Sequence, residues 1–595
     1  MFKRFLSFTK GYRLLTVICP FMIYLDIIIE LEIPKAMGRV VDVLYTLEPG
    51  SEASMAVIRN ELSKELLLML LLCLVTLVIG YLASRCSAIA SMGFGANLRR
   101  ELFNKTQDLS FENINKLKIS SLITRMTSDV SQVQNVYKNT IVTFIKGPLM
   151  LVASLRYALE ISRDLSVVFY VALPAIIIIL SVMGAMAVPI FKKMLKKTDE
   201  FNGVLRGNLN GIRVVKAFVR QEHEKSRFEK VNEAVMKLTI RSQTLILYIT
   251  PSIMFVIYGC MIFALWKGSE IIIGNPAAAL DSTGLSVGSL TAFVTYITQV
   301  LSSLMMVLLV FVSMIMAKAS IDRIGEVFRQ EPAVSDKDAD ALIKVENGEI
   351  EFRNVSFKYD KDGPKNILED INLKINSGET LGIIGGTGSS KSTLIQLIPR
   401  LYDALEGEVL VGGRNVKDYT FGNLRDEIAV VLQQSLLFSG TIRENILWGK
   451  LDATEDEIVA AAQAAEAHEF ISDFEKGYDT ELGQGGSTVS GGQRQRINIA
   501  RALIKKPKIL IFDDSTSAVD TATDAKIRKA LRSEEYKDIT KIIISQRITS
   551  IMDADRIIVM DDGKIHASGT HEELKESSEI YKEIFISQQE GVLAQ

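Results

Sequence analysis

"TLGIIGGTGSSKSTLIQLI", Thr380 to Ile398, joins an apolar strand pattern to a glycine cluster, then to Lys-Ser-Thr and an apolar run of helical spacing. A strand feeding a helix through such a turn aims backbone N–H groups and the helix N-terminus at phosphate. Gly385, Gly386, Thr387, Gly388, Ser389 and Ser390 make the loop. Lys391 is placed to neutralise the β- and γ-phosphates of a nucleotide, the Ser392 hydroxyl to bind magnesium, and Thr393 next to it is a further nucleotide-binding candidate. The pattern asks for glycine immediately before the lysine, and Ser390 stands there. Serine retains the capacity to cap a helix, so nucleotide binding is expected to survive with altered detail.

Working outward, matching pieces occur on both sides. Tyr359, ending "IEFRNVSFKY", can stack on a nucleobase, although a lone tyrosine there is more often a core aromatic. "IAVVLQ" is a strand closing on Gln433, a candidate magnesium ligand. "VSGGQRQRINIARAL" (Val489–Leu503) sets Ser490, Gly491, Gly492 and Gln493 at a helix start, a second anion site. "ILIFDD" is a buried strand ending in Asp513, a third candidate magnesium ligand, with Asp514 next. "KIIISQR" (Lys541–Arg547) reads as a strand ending at Gln546, and "RIIVMDDGKIHASG" as a hairpin turning at Asp562-Gly563.

The first half has a different character. The chain has 595 residues, 48% of them hydrophobic, with a mean hydropathy of +0.22. Six apolar segments, at about 14–35, 66–90, 138–159, 165–190, 244–273 and 288–317, reach the ~20 residues that a bilayer span needs. No small-residue cleavage site follows the first, which argues against a signal peptide. Lys3, Arg4, Lys10 and Arg13, then Arg99, Arg100, Lys105, Lys116 and Lys118, then Lys192, Lys193, Lys196 and Lys197 mark alternate connections as cytoplasmic. Both termini and the soluble half are then expected on the cytoplasmic side of the cytoplasmic (plasma) membrane, in a multi-pass chain. The stretches 91–137 and 191–242 are amphipathic and read as helical extensions of the spans. The polar run 329–347 reads as a linker, dividing the chain into domains 1–328 and 348–595.

Formal charge of −2 gives no reason to expect nucleic-acid binding, and four scattered cysteines, none in a CxxC pair, fit burial rather than a metal or disulfide framework. Charges inside spans are costly. Asp26 and Glu30 share one helical face and Arg156 lies in the third span. Two readings stand: a polar lining for a substrate route, or an ion pair serving assembly, for instance Arg156 with one of the acids. Met305, Met306, Met314 and Met316 fit helix packing better than an adaptable binding wall.

These motifs together resemble ABC exporters built from a six-span α-helical transmembrane domain followed by an α/β P-loop NTPase domain. The soluble half matches in the P-loop, the Gln433 loop, the "VSGGQ" signature, the "FDD" Walker B strand and the "SAVD" D-loop. The membrane half matches in "IPKAMGRVVD" (Ile33–Asp42), "LITRMTSDV" (Leu122–Val130), "GIRVVKAFVR" (Gly211–Arg220) and "AKASIDRIGEVF" (Ala317–Phe328). The resemblance implies two chains with two ATP molecules sandwiched between one chain's P-loop and the other's signature. It places the family's catalytic glutamate on Asp514 and its switch histidine on Gln546, while Gln484 stands where glutamate is frequent.

A carboxylate one methylene short is pulled back by more than an ångström, and misplacement of about 1 Å can cost ~10²-fold in rate. Glutamine has no group titrating near neutrality. With the signature intact, these substitutions predict the degenerate-site subunit of a heterodimeric multidrug-type exporter of drugs or lipids, with a partner half-transporter completing the active site. A slow homodimer using Asp514 as base, an ATP-gated regulator or channel, and an importer on the same fold are the competing readings.

Overall fold

The computed structural model describes residues 7–45, 52–274, 284–360, 363, 365–515 and 519–593. Contacts divide the chain into two compact units, one of 1–105 with 120–329 and one of 106–119 with 330–595.

In the first unit six helices are long and apolar enough to cross a membrane: Arg13–Tyr45, Arg59–Gln107, Ile119–Ile161, Leu165–Asn210, Gln221–Gly274 and Val287–Arg329. All outrun the apolar segments that announced them, because polar helical extensions continue the same helices. Their core packs Ile27 and Leu31 of the first span against Ala158, Phe169, Phe293 and Tyr296. Tyr296 hides its hydroxyl by donating to the Leu31 carbonyl at 2.6 Å. Met305 packs on this core, as the helix-packing reading expected.

Three quoted motifs explain themselves in contacts. Asp42 accepts from the Gly288 amide at 2.7 Å and the Ser286 hydroxyl at 2.8 Å, satisfying the free donors at the start of span six. There the backbones nearly touch: a Cβ on Gly288 would lie 1.9 Å from the Gly38 carbonyl oxygen, so only glycine fits. Asp129 accepts from Arg323 Nε and the Ser320 hydroxyl, each at 2.8 Å, while Arg125 donates to Glu326 at 2.7 Å and to the Arg323 carbonyl at 2.8 Å. These bonds tie the 122–130 motif to the 317–328 motif.

The intramembrane charges pair differently from the expectation. Lys146 Nζ lies 3.0 Å from Asp26 and 2.9 Å from Glu30, whereas Arg156 is 78% exposed and pairs with Glu160 one turn along its own helix at 2.8 Å. Arg156 therefore does not meet the acids; Lys146, ten residues earlier on the third span, does.

The second unit is built on a six-stranded sheet in the order Lys564–Gly569, Arg556–Asp561, Thr380–Ile384, Thr540–Ile544, Ile509–Asp513, Ile428–Val431. All neighbours run parallel except the first pair. The central strands Ile509–Asp513 and Thr540–Ile544 are buried throughout, as near-continuous apolar runs covered on both faces must be. The hairpin turns at Asp562 and Gly563 (φ 42° and 80°), matching its sequence signature. A smaller antiparallel sheet orders Leu368–Ile375, Ile350–Phe357, Glu406–Val411 and Arg414–Asn415. The polar run after Arg329 is stitched to this unit: Arg400 donates to the Ser335 carbonyl at 2.9 Å, and Asn423 to those of Ala341 and Ile343.

Candidate nucleotide site

Four parallel strands, Thr380–Ile384, Ile428–Val431, Ile509–Asp513 and Thr540–Ile544, end at one cavity of about 370 Å³. Ligands of open α/β sheets bind at these carboxyl ends, because the loops there are free of the sheet's own bonding. Thr387 to Thr393, Gln433, Asp513, Asp514 and Gln546 line it, with Ile367 and Ile544 as apolar wall. Gln433 and Gln546 each sit two residues past the strand end rather than closing it, as their strands had been expected to run.

The loop's geometry follows from its glycines. A Cβ on Gly385 would meet the Met560 carbonyl oxygen at 2.0 Å, and Gly388 has φ 88°. Ser390 also lies in the left-handed region, at φ 71° and ψ 20°, and makes no capping bond. The expected serine cap is therefore absent. A capping hydroxyl reaches N2 or N3 from an extended backbone, and Ser390 holds the conformation of the glycine it replaces. Lys391 Nζ bonds the Gly385 and Gly386 carbonyls at 2.9 and 2.8 Å and the Ser389 hydroxyl at 3.1 Å. Burial holds its ammonium below the usual lysine value, against the pull of the Asp514 and Asp513 charges.

Asp513 is only 6% exposed and accepts from the Ser392 hydroxyl at 2.7 Å. Burial pushes its carboxyl above the ordinary range; the Ser392 bond opposes this and the Asp514 charge adds to it. The Ser392 hydroxyl, the Asp513 carboxylate and the Gln433 side chain offer hard oxygen donors in one cavity, a set that fits magnesium sharing its shell with phosphates and water. Among the described residues no group of three or more His, Cys, Asp or Glu forms a metal cluster, and such a shared site needs none.

Asp514 answers to both glutamines. Its Oδ2 accepts from Gln433 Nε2 at 3.3 Å and from Gln546 Nε2 at 3.2 Å. The Gln546 loop is held in turn by Gln588, which donates to the Gln546 carbonyl at 2.7 Å and accepts from the Ile548 amide at 2.9 Å. Nothing in the sequence marked Gln588.

Tyr359 lies outside the cavity lining, with the residue 42% exposed and its hydroxyl 3.1 Å from Thr393 Oγ1. Ser490 caps the helix Gly491–Leu503 in a reciprocal box with Gln493. Neither Ser490, Gly491, Gly492 nor Gln493 lines this chain's cavity. Gln484 begins a short 3-10 turn, Gln484–Gly486. Of the D-loop, 517 and 518 lie outside the described residues, as does the Met316 side chain.

Comparison with known proteins shows the family. Residues 16–316 match the ABC transporter transmembrane region and 368–517 the ABC transporter domain. The chain is 36% identical, over 98% of both chains, to the ABC transporter ATP-binding protein YfiB of Bacillus subtilis (strain 168). It is 34% identical, over 83% of both, to the putative multidrug export ATP-binding/permease protein YgaD of the same organism. A bacterial Atm1-family ABC exporter with ATP bound superposes with a TM-score of 0.81 at 25% identity, covering 97% of this chain and 98% of that one. Six spans fused to one P-loop domain with these matches mean that the chain belongs to the ABC transporters, as an exporter half-transporter whose ATPase domain drives transport.

Proposed function

We propose that this chain is the degenerate-site half of a heterodimeric ABC exporter of amphipathic small molecules, drugs or lipids. Half-transporters of this family work as dimers, and the signature helix starting at Ser490 is the part that a partner's ATP would meet. The observation that carries the reading is the Asp514 carboxylate oxygen, which already accepts two carboxamide donors from Gln433 and Gln546. A general base must be free to orient water and receive its proton. Here the base position is short and spoken for, and the switch position cannot titrate.

The chain's residues still suit binding. The loop amides and Lys391 take the phosphates, and Tyr359 stacks on the base. Ser392, Asp513 and Gln433 would hold Mg2+, which would neutralise charge on the phosphates. The site grips ATP and keeps the two nucleotide-binding domains in contact, while turnover occurs where this chain's Ser490–Gln493 faces the partner's P-loop. Lysine and arginine placement supports both termini and the nucleotide-binding domain lying in the cytoplasm, with the helical extensions carrying domain closure to the spans. The multidrug name of the YgaD relative supports the substrate class.

Replacing Asp514 by Glu together with Gln546 by His frees the carboxylate and restores a titrating group. Turnover at this site is expected to rise by about 10²-fold, measured as phosphate release in a complex whose partner site is disabled. An unchanged rate would remove Asp514 and Gln546 as the cause of degeneracy.

A further inference from the structure

The C-terminal helix Glu579–Leu593 is docked by its first two turns. Tyr581 is fully buried, and Ile580, Ile584 and Phe585 pack on the core of the second unit. The Tyr581 hydroxyl lies 2.6 Å from His571 Nδ1 on the preceding helix His571–Ser577, whose His571 ring meets Phe585 at 5.5 Å. Gln588 stands four residues past Ile584 and seven past Tyr581, so it continues the docked face one turn further. A carboxamide on an otherwise apolar face marks a specific bond rather than packing.

Both ends of that carboxamide are engaged by the loop after strand Thr540–Ile544. Gln588 Nε2 donates to the Gln546 carbonyl and Oε1 accepts from the Ile548 amide, so one side chain brackets residues 546 to 548. At one end of the bracket Ile548 is sunk in the core at 3% exposure. At the other, the Gln546 side chain reaches into the nucleotide cavity and donates to Asp514 Oδ2 at 3.2 Å. A bond of that length is at the edge of the normal range, so its occupancy depends on the backbone that carries it. Gln588 itself does not line the cavity.

We propose that Gln588 is a positioning residue: by fixing the backbone of Gln546 it keeps that side chain on Asp514, and the C-terminal helix thereby holds this ATP site in its restrained state. This rests on the reading that the glutamine bonds restrain Asp514. Gln588 acts on turnover through Gln546 and not through nucleotide, so its effect falls on kcat rather than KM.

The test is a double-mutant cycle on phosphate release from this chain reconstituted with its partner half-transporter, the partner's site disabled. Gln546→Ala removes one donor from Asp514 and is expected to raise kcat roughly fivefold, the weight of one ordinary hydrogen bond, with KM unchanged. Gln588→Ala leaves the donor in a looser loop and should raise kcat roughly threefold, again with KM unchanged. The two together should do no more than Gln546→Ala alone, since a contact serving only stability would act independently of Gln546. Gln588→Glu keeps the acceptor for Ile548, loses the donor to Gln546 and should behave as Gln588→Ala. Hydrogen–deuterium exchange on the same complexes should quicken across 545–551 in Gln588→Ala and stay at the wild-type rate across 579–586, where Tyr581 still docks the helix. A kcat at or below wild type in Gln588→Ala, effects that multiply in the double variant, or unchanged exchange across 545–551 overturns the proposal. Gln546→Ala separates the two claims. If it leaves kcat unchanged, the restrained-base reading fails and takes Gln588 with it. If it raises kcat while Gln588→Ala does not, the bracket alone is wrong.

Discussion

Ser390 occupies a left-handed backbone that costs a residue with a Cβ about 1–2 kcal/mol. Ser390→Gly is therefore expected to stabilise the nucleotide-free second unit by about 1 kcal/mol, read as a shift in the denaturant midpoint of its transition; no shift would mean that the loop relaxes around serine at no cost. A second residue tests burial. Lys541 is 3% exposed and its Nζ bonds the Ile539 carbonyl at 2.8 Å. Burial holds its ammonium below the usual lysine value, against Asp555 and Asp538. The folded state then binds this proton less well than the unfolded chain, so the penalty is full at low pH and fades as pH rises from the lowered value toward about 10.4. Lys541→Met is expected to raise the melting temperature at pH 7 and to gain less at pH 9.5. A gain that does not shrink with pH would assign the effect to packing. At this scale the sequence told that Lys391, Ser392 and Asp513 would gather in one cavity, because their motifs are contiguous strings. It did not tell the backbone of Ser390, which the loop imposes, nor the bond from Gln546 to Asp514, made between loops of adjacent strands.

Among elements, the membrane helices show what an apolar pattern can and cannot say. The spans were legible from composition, because a bilayer demands long apolar runs. Which charge faced which was not, since that depends on rotation about each helix axis. Arg156 drew attention because it lies deep in an apolar run, yet its helix turns it outward to Glu160. Lys146 answers Asp26 and Glu30 from the facing helix, and the same expense of intramembrane charge would have flagged it. Lys146→Met leaves both carboxylates without a cation. Breaking one side of a buried ion pair costs ~3–5 kcal/mol, so this variant should melt well below the wild type in nanodiscs. Adding Asp26→Asn and Glu30→Gln should recover most of the loss. A single mutant as stable as wild type would show that the acids need no counter-charge. The soluble strands were easier, because buried parallel strands read as unbroken apolar runs and only their ends shifted by a residue or two.

For the whole molecule, the cavity's four strand-end loops and the signature helix are complete as local structures, yet Ser490–Gln493 do not line the cavity of their own chain. ABC exporter half-transporters work as dimers, and under the proposed function the second chain completes each ATP site. Sequence reasoning reached this point through resemblance rather than physics, since a surface that awaits a partner looks like any polar helix start. The proposed asymmetry turns on Asp514 and its two glutamines. The direct measurement is steady-state phosphate release from this chain reconstituted alone, compared with the same chain reconstituted with its partner half-transporter. Turnover near background for the chain alone, with ATP still bound, and brisk turnover with the partner is the predicted result. Vigorous hydrolysis by a preparation containing only this chain would contradict the account.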